Sequence, residues 1–314
     1  YLHFSLADKV LPQPVKYWSL AFKVNGQRSP EQIQDELTAL IDDAVKIRMV
    51  SDVPLGAFLS GGIDSSVVVS LAAKHSPHIN TFSIGYADEP FFDETKYAEL
   101  VAKKFNTNHT TFSLTNNDLY SHLFDILDYI DEPFADSSSV PTMLVSKLAR
   151  QHVTMTLSGD GGDETYMGYG FYNWAQRLNN PLVSALRGPI AAALSMGDNR
   201  KQRAALMFKY TDKARLKSHI FSQEQYYYSE ADFSQYFTPE FNAKSRIRLD
   251  ENNRVTARSL TAAEEQAVFD MRYYLPDDLL VKVDRASMRY SLESRVPLLD
   301  YRLVEFALNV HPSL

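Results

Sequence analysis

Residues 60–66 read Ser-Gly-Gly-Ile-Asp-Ser-Ser, which places two adjacent glycines, three hydroxyls and one carboxylate in a single short stretch. The stretch follows an apolar run at residues 53–59 and precedes a helical pattern at residues 67–74. Adjacent glycines let the backbone approach an oxyanion, and the free N–H groups of a first helical turn can donate to it. The predicted phosphate-binding residues are Ser60, Gly61, Gly62, Ser65 and Ser66.

The carboxylate of Asp64 would repel a phosphate group bound in this loop. We therefore predict that Asp64 holds a cation such as Mg²⁺, which in turn holds phosphate oxygens. Two common phosphate motifs do not fit, because Gly61 is not followed by Lys and Ser or Thr, and no Gly-x-Gly-x-x-Gly pattern occurs here. A glycine-rich turn without a ligand is the alternative.

A second stretch with the same character, Leu-Ser-Gly-Asp-Gly-Gly-Asp-Glu, occupies residues 157–164. It also follows an apolar run and carries acids at the start of a predicted helix. Asp64 and Asp163 are the two carboxylates that we predict to bind Mg²⁺, with phosphate oxygens and water as the remaining ligands. A calcium loop is the competing interpretation, but it requires acids at alternate positions and a distal glutamate.

Both loops require strands and helices that bring them together. Apolar, β-rich runs at residues 53–59, 79–85, 110–114 and 153–157 alternate with helical patterns, and this alternation predicts a doubly wound parallel sheet. Ligands bind at the carboxyl ends of such strands, where Ser60 and Ser158 lie. From about residue 165 helical patterns prevail, so we expect a helical C-terminal layer.

A third polar stretch, residues 131–139, combines acids with three consecutive serines before a predicted helix. Capping of that helix would explain the serines without any further role. Because two phosphate-type loops flank this stretch in the sequence, we predict instead that it forms a wall of the active site.

Composition limits the class of protein. The chain has 314 residues, 45% of them hydrophobic, which is enough for a large core. A net charge of −7 argues against nucleic-acid binding, and no long apolar segment or basic leader indicates a membrane span or signal peptide. There is no cysteine, so disulfides and a cysteine nucleophile are excluded within these residues, and we expect a cytoplasmic location.

The first loop resembles the pyrophosphate loop of ATP pyrophosphatases, which cleave ATP between the α and β phosphates. The ordered set of segments at residues 58–66, 81–85, 131–138, 157–164, 275–288 and 291–300 resembles the synthetase domain of glutamine-dependent asparagine synthetases. The resemblance implies an adenine nucleotide α-hydrolase-like fold. It also implies a reaction in which aspartate and Mg-ATP form β-aspartyl-AMP and pyrophosphate, after which ammonia displaces AMP.

The resemblance also assigns roles to single residues. Leu59 and Ile84 would contact adenine, largely through their backbones. Ser158 and Gly159 would flank the nucleotide, and Asp160 and Asp163 would be the catalytic acids. The residues that would hold pyrophosphate and metal are Ser60, Gly61, Gly62, Asp64 and Ser65. Asp160 stands where asparagine synthetases often have glutamate, so a β-lactam synthetase and an amidotransferase for another acid remain alternatives. A non-catalytic nucleotide-binding homologue is a further alternative, because the family's active-site lysine is not among these residues.

By the same resemblance, residues 1–28 would be a linker from an N-terminal glutaminase domain that supplies ammonia from glutamine. Residues 29–314 would be the synthetase domain. We expect that domain to continue further, because the family has an active-site lysine several tens of residues beyond the segment that ends at Asp300. The family also implies a possible homodimer, with small molecules and no nucleic acid or membrane as partners.

Overall fold

A parallel sheet organises the protein in this computed structural model, which describes residues 1–5, 12–22, 28–228, 232, 235–238, 255–256 and 258–310. The strands are β1 Ala21–Phe22, β2 Leu55–Phe58, β3 Asn80–Tyr86, β4 Asn108–Leu114, β5 Met155–Leu157, β6 Val255–Thr256 and β7 Glu293–Arg295. The helices are α1 Pro30–Arg48, α2 Ile63–His75, α3 Thr95–Phe105, α4 Asn116–Tyr129, α5 Ser139–Ala149, α6 Gly162–Tyr166, α7 Tyr172–Asn179, α8 Pro181–Ala185, α9 Arg187–Ser195, α10 Asn199–Met207, α11 Leu216–Glu224, α12 Ala262–Arg272, α13 Leu280–Met288 and α14 Tyr301–Ala307. A π-helical turn spans Leu275–Leu279, and 3₁₀ turns span Lys213–Arg215 and Pro297–Leu299.

The main sheet has the spatial order β4-β3-β2-β5-β7, and each neighbouring pair is parallel. Strand β2 is the first strand of this sheet in the sequence. Strands β3 and β4 follow on one side of β2, and β5 and β7 follow on the other side. The direction of winding therefore reverses between β2 and β5, where doubly wound sheets leave a crevice for ligands. This arrangement confirms the predicted doubly wound parallel sheet.

Side chains that alternate along the strands separate two hydrophobic cores. Ala57 and Leu59 pack on the face that helices α1, α2 and α3 cover, whereas Phe58 packs on the opposite face with Val145 of α5. All three residues of β5 have an exposed fraction of 0%. Burial on both faces is typical of central strands in a parallel sheet, and it explains why these strands are apolar runs in the sequence.

Helix α1 begins where the sequence predicts it. The N–H of Gln32 donates to Ser29 Oγ (3.3 Å), and the N–H of Ser29 donates to Gln32 Oε1 (3.0 Å). This reciprocal pair satisfies two N–H groups that a helix start would otherwise leave unpaired, and Pro30 at the first position needs no donor. From there α1 packs Val45 against the core beside β2.

The helices after β5 form a further core, separate from the two beside the sheet, as predicted for the C-terminal layer. Its buried members include Phe171, Tyr172, Leu178, Phe208 and Ile220. The sequence analysis did not predict strand β7, which pairs with β5 at the edge of the sheet. Because β7 is only Glu-Ser-Arg and pairs on one side, it carries no apolar run that the sequence could reveal.

Among the described residues, no helix combines the length and the apolar character that crossing a bilayer requires. The predicted linker, residues 1–28, lies partly outside the described residues, at 6–11 and 23–27. Its strand β1 pairs in parallel with β6. The assignment of residues 1–28 as a linker between domains stays a prediction.

Candidate active site

The two glycine-acid loops lie side by side at the reversal point of the sheet, one between β2 and α2 and the other between β5 and α6. A Cβ atom placed on Gly159 would lie 2.7 Å from the backbone N of Ser65 and 3.0 Å from the carbonyl carbon of Asp64. The second loop therefore packs its bare backbone against the start of α2. Only glycine fits this contact without a shift of one loop.

A cavity of about 690 Å³ opens between these loops, a volume in the usual range for small-molecule sites. The predicted site residues that line it are Ser60, Gly62, Asp64, Ser65, Ser158, Gly159, Asp160 and Asp163. Its remaining walls include Val145 from α5, Tyr166 from α6 and Lys282 from α13. Residues more than two hundred positions apart in the sequence thus line one cavity.

Four predicted residues lie outside the lining of this cavity. Leu59 is only 1% exposed, and Ile84 packs in the core, so any contact of either residue with adenine would use the backbone. Gly61 has a φ of +88° and packs its Cα against α3, where a Cβ would lie 2.7 Å from the backbone N of Ala98. Ser66 donates its hydroxyl to the Gly62 carbonyl (2.6 Å).

Hydroxyl groups fix the shape of the first loop. Ser60 Oγ and Ser65 Oγ lie 2.9 Å apart, and Ser60 Oγ also accepts the N–H of Gly62 (3.2 Å). Gly62 is the N-cap of α2 and provides no side-chain cap to that helix. The first N–H groups of this 13-residue helix therefore face the cavity end without a capping side chain, which is the arrangement that binds anions.

Four carboxyl groups line the same cavity. Burial, together with the neighbouring Asp163 and Asp160, raises the pKa of Asp64 to about 6. Burial also raises the pKa of Asp163 and of Glu164, although a hydrogen bond from Tyr169 (2.6 Å) opposes the rise for Glu164. Asp160 accepts a hydrogen bond from the Ser158 hydroxyl, which holds its carboxylate at the end of β5. Like charges thus crowd one wall.

This crowding fits a bound divalent cation. A Cβ on Gly162 would lie 2.4 Å from Asp64 Cγ, and one on Gly168 would lie 2.0 Å from Asp163 Oδ1, so both glycines leave room for the carboxylates. No ion pair among the described residues involves Asp64 or Asp163. The described residues contain no cluster of three side chains that could hold a metal alone. Phosphate oxygens and water would have to complete a Mg²⁺ site.

Sequence reasoning missed two features of the cavity. The first is the Tyr169–Glu164 hydrogen bond, and the second is Lys282, which is only 8% exposed. None of residues 131–139, which the sequence predicts as a wall, lines the cavity; the stretch lies behind Lys282, whose ammonium group Asp136 and Ser138 bind. Lys282 lies far from Asp136 and Ser138 in the sequence. No short sequence pattern could therefore place Lys282 in the cavity.

Comparison with known proteins identifies the family. The sequence model of the family described as Asparagine synthase matches residues 36–314. This chain belongs to the asparagine synthase family. A putative asparagine synthetase [glutamine-hydrolyzing] 2 from Methanocaldococcus jannaschii is 36% identical over 272 residues, which are 82% of this chain and 50% of that protein.

Two further relatives also have names of asparagine synthetases and match most of this chain. A putative asparagine synthetase [glutamine-hydrolyzing] from Mycobacterium tuberculosis is 32% identical over 94% of this chain and 45% of its own length. Asparagine synthetase [glutamine-hydrolyzing] 1 from Bacillus subtilis is 27% identical over 93% of this chain and 46% of its own length. The chain thus spans about half the length of the relatives it matches.

Proposed function

We propose that this chain catalyses the ATP-dependent amidation of aspartate to asparagine, with β-aspartyl-AMP as intermediate and AMP and pyrophosphate as products. The observation that carries the proposal is the convergence of two glycine-acid loops, residues 60–66 and 158–164, on one cavity at the reversal point of the sheet. Membership of the asparagine synthase family supports the reaction class.

In the first step the aspartate side-chain carboxylate attacks the α-phosphorus, and the bond to the β-phosphate breaks. We assign the pyrophosphate to the N-terminus of α2 and to the hydroxyls of Ser60 and Ser65, because preorganised donors stabilise the charge that develops there. Mg²⁺, when bound by Asp64 and Asp163, would neutralise phosphate charge. Leu59 and Ile84 remain our assignment for adenine, and Ser158 and Gly159 for the flanks of the nucleotide.

In the second step ammonia attacks the acyl carbon, and AMP leaves with the oxygen that joined it to the acyl group. We assign Asp160 to this step because it lines the cavity beside the groups that we assign to the nucleotide. The names of the relatives support glutamine as the ammonia source, hydrolysed in a domain outside residues 1–314. A homodimer and a cytoplasmic location are further parts of the proposal.

The test is pyrophosphate release with ATP, Mg²⁺ and ammonium chloride in the presence of single acids. We expect aspartate to stimulate release and asparagine to accumulate in equal amount. Stimulation by a different acid alone would replace aspartate with that acceptor. Binding of ATP without stimulation by any acid would contradict the enzyme assignment and favour a non-catalytic nucleotide-binding homologue.

A further inference from the structure

Lys282 is the basic residue that faces the cavity among the described residues, and every other charged residue of the lining is an acid. Its Nζ lies 3.0 Å from Asp136 Oδ2 and donates to Ser138 Oγ at 2.9 Å. An ammonium group has three donors, and these two bonds use two of them. The third remains for a group that enters the cavity.

The two partners of Lys282 are themselves held in place. Asp136 Oδ1 accepts the backbone N–H of Ser138 (2.7 Å) and its hydroxyl (2.6 Å). The position of the ammonium group is therefore fixed by a closed set of short bonds at the start of α5. A buried charge that is fixed before the ligand arrives loses little entropy on binding.

A second carboxylate lies beside this pair. Asp278 belongs to the π-helical turn that precedes α13, and its Oδ1 is buried without a hydrogen-bond partner among the described residues. Burial and the nearby Asp136 raise the pKa of Asp278, and Lys282 opposes that rise. Both carboxylates lie behind the residues that line the cavity, and of this group only Lys282 is part of the lining. The ammonium group is thus the charge that this part of the wall offers to a ligand, and it complements an anionic group.

We propose that Lys282 determines which acceptor is used, by binding the acceptor carboxylate that is not activated. The ligand class is an acid with a second carboxylate. This inference rests on the proposed function, since it places the acceptor between Lys282 and the phosphate loops with its reactive carboxylate directed toward those loops.

Activity with three acids, aspartate, β-alanine and succinate, distinguishes acceptor binding by Lys282 from a purely structural role. β-Alanine is aspartate without the α-carboxylate, and succinate is aspartate without the ammonium group. For Lys282→Met we expect kcat/KM to fall by roughly 10- to 150-fold with aspartate and with succinate, the range that one hydrogen bond between charged groups supplies. With β-alanine we expect a change of less than about threefold. Where β-alanine reacts too slowly to time, its inhibition constant against aspartate provides the comparison.

The matched control is Lys147→Met, which removes an exposed lysine of α5 and leaves all three acids unchanged. Lys282→Arg keeps the charge and should restore part of the aspartate preference, and KM for ATP should stay constant throughout. An equal fall with all three acids would overturn the inference and leave the proposed function standing. Failure of the unaltered chain to respond to any acid would remove both.

Discussion

At the scale of one residue, Asp64 carries a charge that its surroundings disfavour. Its carboxylate is crowded by Asp163 and Asp160, and its raised pKa shows that the charged form is disfavoured in the ligand-free protein. A residue chosen for stability alone would be neutral at this position. In the role that we propose for Asp64, its charge is needed only when Mg²⁺ is bound, so the proposed function and stability make opposite demands on this side chain.

We therefore expect Asp64→Asn to lower ATP turnover by about 10²-fold or more, because the phosphates lose a ligand of their cation. The same change should leave the thermal midpoint of the ligand-free chain equal or higher, because a repelled charge is removed. Turnover and thermal unfolding measured with and without Mg-ATP check both parts. Asp35→Asn, on the exposed face of α1, is the control. Unchanged turnover would remove Asp64 from the metal site.

At the scale of elements, the site depends on how closely two loops approach. The two loops contact each other through their backbones, because Gly159 lies directly against the first turn of α2. Gly161, with a φ of +84°, then turns the second loop into α6. The glycines of the second loop thus set the distance between the groups that would bind phosphate and those that would bind metal.

Gly159→Ala is expected to separate the loops, because the added Cβ would meet backbone atoms that cannot rotate away. We expect a loss of about 1–3 kcal/mol in the free energy of unfolding and a marked rise in KM for ATP. Gly188→Ala, where a Cβ meets nothing within 4 Å in helix α9, should instead gain about 0.5 kcal/mol. Urea unfolding and ATP kinetics of both variants provide the measurement, and similar behaviour of the two would refute the contact.

The sequence was informative where local chemistry decides the structure. The capping pair of Ser29 and Gln32, the buried strands and the loops at residues 60–66 and 158–164 all follow from short patterns. The sequence did not reveal the position of a side chain where contacts within the folded structure determine that position. Lys282 reaches the cavity only because α13 packs on α5, and Ser66 turns its hydroxyl to Gly62 because helix geometry brings that carbonyl within reach.

At the scale of the whole molecule, four acids among the described residues are buried, namely Glu164, Glu264, Asp270 and Asp300. Asp270 of α12 is 0% exposed, and Gln266 donates to its Oδ1 (3.2 Å). Burial is the largest cause that raises its pKa, to about 7, and the charge of Glu164 adds to the rise. This carboxyl therefore holds its proton in the folded chain at pH values where the unfolded chain has released it.

This difference in bound protons makes the free energy of unfolding depend on pH. From about pH 4 to pH 7 the unfolded chain binds fewer protons at this position, so the free energy of unfolding falls as pH rises. We expect the fall between pH 4.5 and pH 7.5 to be smaller in Asp270→Asn, by an amount on the order of 3 kcal/mol. Urea titrations at both pH values measure it. Parallel pH dependences in the two proteins would show that Asp270 is already ionised in the fold.

The position of β7 at the edge of the sheet has a consequence for biosynthesis. A ribosome makes about 5–20 residues per second, so on the order of ten seconds separate the synthesis of Leu157 from that of Glu293. During that interval both glycine-acid loops already exist, but one side of β5 has no partner strand. An unpaired strand of buried, apolar residues is prone to wrong association, and chaperones that shield such edges would act in that interval. Completion of β7 ends this exposure, and the N–H of Ser158 then donates to the carbonyl of Arg295 (2.9 Å) where the second loop begins.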